Sequence, residues 1–309
     1  MPSCSSSTCC GPISARRTLP RPWRNLHDGS GDLVHVLPET LPAAPRVRWA
    51  DLRTRAISAA VLVPLALACL WVGGSWWTAL VGLAALGLGI EWVQLSGGRL
   101  TRVSGLAVPL SVLVAGAAVV EGHPPIALSL IGICFLLVWW YGRRQGLAAG
   151  VPYLGLATAA LLWLRADPEV GRVNLLFLLC VVWASDIGAY VAGRLIGGPK
   201  LAPSISPGKT WSGAVGGLIA ALAIGGGVAL LAGGGGLVHV LAAAAMVGIA
   251  AQLGDLLESG IKRHYGVKDS GRLIPGHGGL LDRLDGLIIA APVAALLVMS
   301  LGRGVVLWQ

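Results

Sequence analysis

Charge is scarce in this chain. Only 12% of its 309 residues are Asp, Glu, Lys or Arg, where soluble domains carry about 25%. The deficit is uneven, because 55% of the residues are hydrophobic and gather in long blocks. That pattern excludes an ordinary soluble domain and reads as a polytopic membrane protein, whose helices satisfy their own backbone hydrogen bonds with the bilayer as solvent. A cysteine framework is missing too. Cys69, Cys134 and Cys180 stand singly in apolar blocks, while Cys4, Cys9 and Cys10 lie in the N-terminal stretch with His27 as the nearest histidine, which is not the spacing of a zinc site. No apolar core precedes residue 56, which argues against a cleaved secretory signal, and no internal repeat is evident.

The first part of the chain, 1–50, is rich in Ser, Pro and Arg without helical or strand periodicity, and reads as a disordered tail; residues 51–309 read as the membrane domain. From Ala56 onward nine apolar segments are expected, near 56–73, 76–95, 104–120, 125–140, 147–164, 172–192, 213–233, 237–257 and 284–302. Several approach the roughly 20 residues needed to cross about 30 Å as a helix. The predicted fold is therefore an all-α polytopic bundle of about nine transmembrane helices.

A net charge of +9 would suggest nucleic acid as the partner of a soluble protein. Here it orients the chain instead, and no nucleic acid is expected. With the tail inside, the tail and the loops near 96–103, 141–149, 193–212 and 258–286 hold 20 Lys and Arg residues, against Arg165, Arg172 and Arg303 on the other side. This asymmetry predicts a cytoplasmic N-terminus and an outward C-terminus. Glu91, near a membrane boundary, is either a functional acid or a side chain that snorkels to the interface. His123 and His239 have no clustered ligand partners and read as interfacial.

Against this apolar background the stretch Gly254–Gly286 packs five acids, five bases and two histidines into 33 residues. Asp255 and Glu258 are three apart, as are Asp282 and Asp285, so each pair shares a helical face. Carboxylates so grouped need cations or phosphate-bound metals to neutralise them. Between the pairs lie Lys262, Arg263, Lys268 and Arg272, then the turn Pro275-Gly276-His277-Gly278-Gly279, where backbone N–H groups can approach an anion. Carboxylates for a metal beside cations for phosphate point to phosphoryl-transfer chemistry on the cytoplasmic face. The plainer alternative is a solvated interhelical loop whose charges only set topology.

A second polar stretch runs from Trp183 to Gly213. Asp186 sits in an apolar segment, where a carboxylate needs a cation, a metal or a proton. Arg194, Lys200 and Lys209 follow, with Ser204, Ser206 and Thr210 among glycines and prolines, a donor set suited to a polyphosphate. Gly208-Lys209-Thr210 is not a P-loop, since Pro203 occupies the position of the required first glycine.

The residues Ser259, Lys262, Arg263, Lys268, Asp269, Pro275, His277, Gly278, Gly279, Asp282, Arg283 and Asp285 together match the signature of the phosphatidate cytidylyltransferase family, which this chain resembles from about residue 52 to 303. Ser206–Trp211 is similar to the family's substrate loop, as are Asp186, Ala189, Tyr190, Gly193 and Arg194; Ser212 departs from the acidic or amide residue that many relatives carry there. The resemblance implies transfer of CMP from CTP to phosphatidic acid, with Mg²⁺ and room for a second cation, next to membrane lipids, and it makes a homodimer plausible. The abundance of Ala, Gly and Arg, a GC-rich usage, favours a bacterial inner membrane over the alternative of a eukaryotic organelle. On the basis of the resemblance Asp255, Asp282, Asp285 and Lys209 are expected in catalysis, with Asp255 and Asp282 as metal ligands and Asp285 and Asp186 in support. Lys200, Ser206, Lys209, Thr210, Lys262, Arg263, Lys268 and Arg283 are expected on substrate phosphates or in charge balance. His277 bonds either a phosphate oxygen or its own turn, and Asp269 either pairs with Lys268 or caps a turn. Two rivals use the same residues differently: a CTP-dependent polyprenol or lipid kinase, and an ion-coupled transporter.

Overall fold

The computed structural model describes residues 49–142, 145–271, 278–302 and 304–309, with only the backbone of 49–59. His277, with Pro275, Gly276, Arg272 and the residues before 49, lies outside the described residues. Among the described residues the chain forms nine helices: α1 (Trp49–Val72), α2 (Gly74–Leu95), α3 (Val103–Val120), α4 (Pro124–Gly142), α5 (Gln145–Ala166), α6 (Gly171–Leu195), α7 (Trp211–Leu231), α8 (Leu237–His264) and α9 (Leu281–Leu301). Each of the nine apolar segments read from the sequence becomes one of them. Eight, α2 to α9, are long and apolar enough to cross a membrane, and α1 adds the shorter apolar run Ala60–Val72. The chain is an integral membrane protein.

Contacts between turns show how the helix ends sort. At one end the Trp92 indole donates to the Gly146 carbonyl at 3.0 Å and Glu91 accepts from Leu280 N at 2.8 Å, so the α2–α3, α4–α5 and α8–α9 connections meet there. This is the end rich in Lys and Arg. At the other, Gly73 has a φ of 71° that lets α1 break from α2 in one residue; Arg165 of α5 lies against it and donates Nε to the Leu70 carbonyl at 2.8 Å, satisfying an orphan acceptor at the end of α1. The side chain that sequence counting used for topology thus ties α1 to the bundle.

Glycines let backbones meet where the site is built. A Cβ on Gly188 of α6 would sit 2.8 Å from the Gly216 carbonyl of α7, and one on Gly254 of α8 would sit 3.1 Å from Gly286 Cα of α9. In lipid, where apolar burial does not drive helices together, such close approach is what dispersion requires. The all-α expectation needs one addition. Residues β1 (Lys200–Ala202) and β2 (Ser206–Thr210) form a small antiparallel hairpin between α6 and α7, pairing Lys200 with Thr210 and Ala202 with Ser206.

At the base-poor end the last residues fold back. Asn174, 1% exposed, donates Nδ2 to the Val305 carbonyl at 3.1 Å and accepts from Leu307 N at 2.8 Å. Trp308 packs against Phe177 with the rings tilted and their centroids 4.7 Å apart, and donates its indole N–H to the Gly234 carbonyl at 3.2 Å. Asn174→Leu leaves the buried Leu307 N–H unpaired, at about 1–3 kcal/mol, and a part-buried Val305 carbonyl unpaired at less. We expect the variant to melt several degrees lower in detergent, followed by tryptophan fluorescence, with turnover at low temperature unchanged because the site lies at the other end.

Candidate active site

The site grows from one face of α8. Asp255, Glu258 and Lys262 follow at spacings of three and four, so their side chains rise in a row. Glu258 is fully buried, and a buried carboxylate without a partner costs several kcal/mol. Lys262 answers it: its Nζ lies 2.6 Å from Glu258 Oε2 and 2.7 Å from Asp282 Oδ1 at the start of α9. One ammonium thus joins two carboxylates and fastens α8 to α9. The fastening is possible because the helices cross at Gly254 and Gly286.

Asp282 is also held by the loop. Ser270 donates its N–H at 3.1 Å and its hydroxyl at 3.0 Å to Asp282 Oδ2, and Gly279 N donates to the same oxygen at 3.0 Å. Asp285, one turn on, accepts from Gly286 N at 2.7 Å and lies close enough to Asp255, Glu258 and Asp186 for their charges to be felt. Four of the predicted acids are therefore brought into one cluster.

The second polar stretch closes on the first. Lys209 of β2 places Nζ 2.6 Å from Asp255 Oδ2. Arg263 donates Nε to the Ile205 carbonyl at 3.2 Å, pinning the hairpin turn to α8. Thr210 caps α7, its Oγ1 accepting from Gly213 N at 3.1 Å, and Ser212 binds both that oxygen and the Gly197 carbonyl. Between α6, the hairpin, α7 and α8 lies a cavity of about 420 Å³, lined by Asp186, Tyr190, Arg194, Lys209, Gln252 and Asp255 among others. That volume is in the range of small-ligand sites.

A model of the family described as the cytidylyltransferase family matches residues 53–301. The chain belongs to this family. It is 43% identical over 245 residues to a protein of Brucella suis named phosphatidate cytidylyltransferase, covering 78% of this chain and 91% of that one. A protein of the same name from Pseudomonas aeruginosa is 40% identical over 275 residues, 82% of this chain and 99% of that one. The Haemophilus influenzae protein so named is 36% identical over 278 residues, 78% and 96% of the two chains. The chain is thus a nucleotidyltransferase.

Other predicted residues of this cytidylyltransferase lie further out. Lys200 and Lys268 are exposed and have no ion-pair partner among the described residues; Asp269 is exposed beside Lys268, and Arg283 is exposed on α9. Ser206 opens β2, half-buried. Glu91 does not snorkel: it is wholly buried. Three site neighbours escaped the sequence reading. Glu258 was read only as half of an acidic pair, although its spacing to Lys262 carried the signal. Gln252 donates to Ser185 Oγ at 3.2 Å and to the Ala214 carbonyl at 3.1 Å, joining α8 to α6 and α7; a lone amide in an apolar helix was its only mark. Tyr153 of α5 packs against Trp92, the rings tilted with centroids 5.2 Å apart, and faces the charges of Glu258 and Asp285; its hydroxyl has no hydrogen-bond partner among the described residues.

Among the described residues no three His, Cys, Asp or Glu side chains stand ready to enclose a metal ion. The donor set nevertheless suits a hard cation. Asp255 and Asp282 each already hold a cationic nitrogen at 2.6 and 2.7 Å respectively, and Mg²⁺ ordinarily takes one or two carboxylates and completes its shell with water and substrate phosphate.

Because Thr210 Oγ1 is committed to the cap, Thr210→Ser and Thr210→Val separate its roles. The serine variant keeps the cap, and the valine variant loses about 1 kcal/mol. Thermal unfolding of the purified variants should show wild-type behaviour for serine and a lowered midpoint for valine.

Proposed function

We propose that this chain is a phosphatidate cytidylyltransferase, joining CTP and phosphatidic acid into CDP-diacylglycerol and diphosphate, with residues 51–309 as the catalytic domain and the basic end of the bundle facing the cytoplasm of a bacterial inner membrane. The observation that carries this reading is a single cavity at that end where cations, Lys209 and Arg194, and carboxylates, Asp186 and Asp255, line the same space beside helices that run into lipid. A polyphosphate and a lipid phosphate are both anions, and the cavity offers charge to hold them together. The names of the relatives fit the same chemistry.

An oxygen of the lipid phosphate attacks the α-phosphorus of CTP, a new P–O–P bond forms, and the bond from that phosphorus to the bridging oxygen breaks as diphosphate leaves. The attacking group is already an anion, so no strong general base is required; the demand is on alignment and on charge at the leaving group. Lys209 and Arg194 bind phosphate oxygens, and Lys209 exchanges Asp255 for phosphate as CTP enters. Lys262 keeps Glu258 neutralised and Asp282 oriented. Asp255 and Asp282, supported by Asp285 and Asp186, would hold Mg²⁺, which when bound would offset negative charge on the phosphates. Lys200 and Lys268, both exposed, add positive potential that draws in the anionic substrates.

The decisive experiment supplies labelled CTP, phosphatidic acid and Mg²⁺ to purified protein in lipid. A CDP-lipid should form, vanish with Asp282→Asn, and fall about 10²–10³-fold with Lys209→Met, which removes a preorganised cation from the developing charge. A phospho-lipid with release of CDP would instead make the chain a lipid kinase.

A further inference from the structure

Glu91 is the sole charged residue of α2, yet it is 0% exposed. Its carboxylate spans two successive backbone groups at the entry to α9: Oε1 accepts from Leu280 N at 2.8 Å and Oε2 from Leu281 N at 2.8 Å. The Ser270 hydroxyl lies 3.5 Å from Oε2, and a Cβ on Gly271 would sit 2.8 Å from Oε1. Glu91 therefore touches the α8–α9 connection at two places, at 270–271 and at 280–281. An anion at this place is favoured by the unpaired N–H groups and the positive end of a 21-residue helix.

The contacts do not stop at the loop. Ser270 also donates its N–H and hydroxyl to Asp282 Oδ2 at 3.1 and 3.0 Å, and Gly279 N, next to Leu280, donates to the same oxygen at 3.0 Å. Every described loop donor to Asp282 thus comes from a residue that touches Glu91 or adjoins one that does. We propose that Glu91 is a positioning residue for the transfer reaction: it joins the middle of the α8–α9 connection, at Ser270 and Gly271, to the start of α9, and so sets the orientation of the Asp282 carboxylate. This rests on the reading of Asp282 as part of the reacting site. Glu91 acts through the loop and touches neither substrate.

The test compares wild type, Glu91→Gln, Ser270→Ala and Asp282→Asn in lipid, reading kcat, KM for both substrates, the Mg²⁺ concentration at half-maximal rate, and the melting midpoint. Glutamine keeps the volume but turns an NH₂ toward a backbone N–H, so one of the two clamping bonds is lost. Expected for Glu91→Gln is a folded protein whose kcat falls about 10–100-fold, the usual effect of removing a ligand's supporting partner. Its Mg²⁺ half-saturation should rise several-fold, while KM for phosphatidic acid stays within about twofold of wild type. Ser270→Ala should shift the same two readings less. A lowered melting midpoint with unchanged kcat per folded molecule and unchanged Mg²⁺ half-saturation would overturn the proposal. Should Glu91→Gln not fold, wild-type Mg²⁺ half-saturation in Ser270→Ala overturns it equally. Full turnover by Asp282→Asn would remove the reading of the site beneath it; an inactive Asp282→Asn beside a fully active Glu91→Gln would remove the positioning role alone.

Discussion

A carboxylate buried at the end of a helix bundle must have a partner, and the architecture of this site follows from how Lys262 partners two. Glu258 is fully enclosed, so loss of the lysine would leave a bare charge and cost about 3–5 kcal/mol. By reaching Glu258 within its own helix and Asp282 on the next, Lys262 converts an intrahelical pair into a tie between α8 and α9. The tie is short because Gly254 and Gly286 let the two backbones approach. Packing and electrostatics here depend on each other: bulk at the crossing would pull Asp282 away from the ammonium, and loss of the ammonium would force like charges apart.

The opposite wall of the cavity uses different means. α6 and α7 come together through glycine, and the hairpin between them is held by backbone pairing, by the Thr210 cap and by Arg263 on the Ile205 carbonyl. These are short-range, directional contacts, and their effect is to aim Lys209 at Asp255. A long, flexible lysine needs such a frame, because its side-chain entropy would otherwise oppose a fixed position.

Most of the bundle was legible in the sequence because lipid imposes a simple rule: a spanning segment is apolar, about 20 residues long, and helical. The acids and bases stood out for the same reason, as exceptions to that rule. The hairpin was not legible. Its strands are three and five residues long, the second contains Pro and Gly, and neither shows alternation, so nothing in Lys200–Thr210 distinguishes a strand pair from a basic loop. Partner choice was hidden as well. Lys262 and Arg263 were both read as phosphate ligands or charge balance, and adjacent side chains on a helix point to different faces: Lys262 turns inward to two carboxylates, whereas Arg263 turns to a backbone carbonyl of the hairpin. For Glu91 the two sequence readings, functional acid and snorkelling chain, missed a third, since its partners Leu280 and Leu281 lie 189 and 190 residues away and offer backbone N–H groups, which no side-chain pattern announces.

The pairings also define the electrostatic state from which substrate binding starts. Lys209 with Asp255, and Lys262 with Glu258 and Asp282, pair three of the five clustered carboxylates, and Asp186 and Asp285 add negative charge beside them. Such an excess of carboxylates would repel anionic substrates unless a cation accompanies them. On the proposed reading, a phosphate that takes Lys209 would release the Asp255 carboxylate, which with Asp186 and Asp285 beside it would leave a place for the counter-cation. The exchange conserves the number of close opposite-charge contacts, which keeps the desolvation cost of each step small. Such coupling favours a nucleotide and a divalent cation entering together over either entering alone. Arg194, exposed at the cavity edge near Tyr190 Oη at 3.5 Å, would on the same proposal hold the phosphate while Lys209 changes partners.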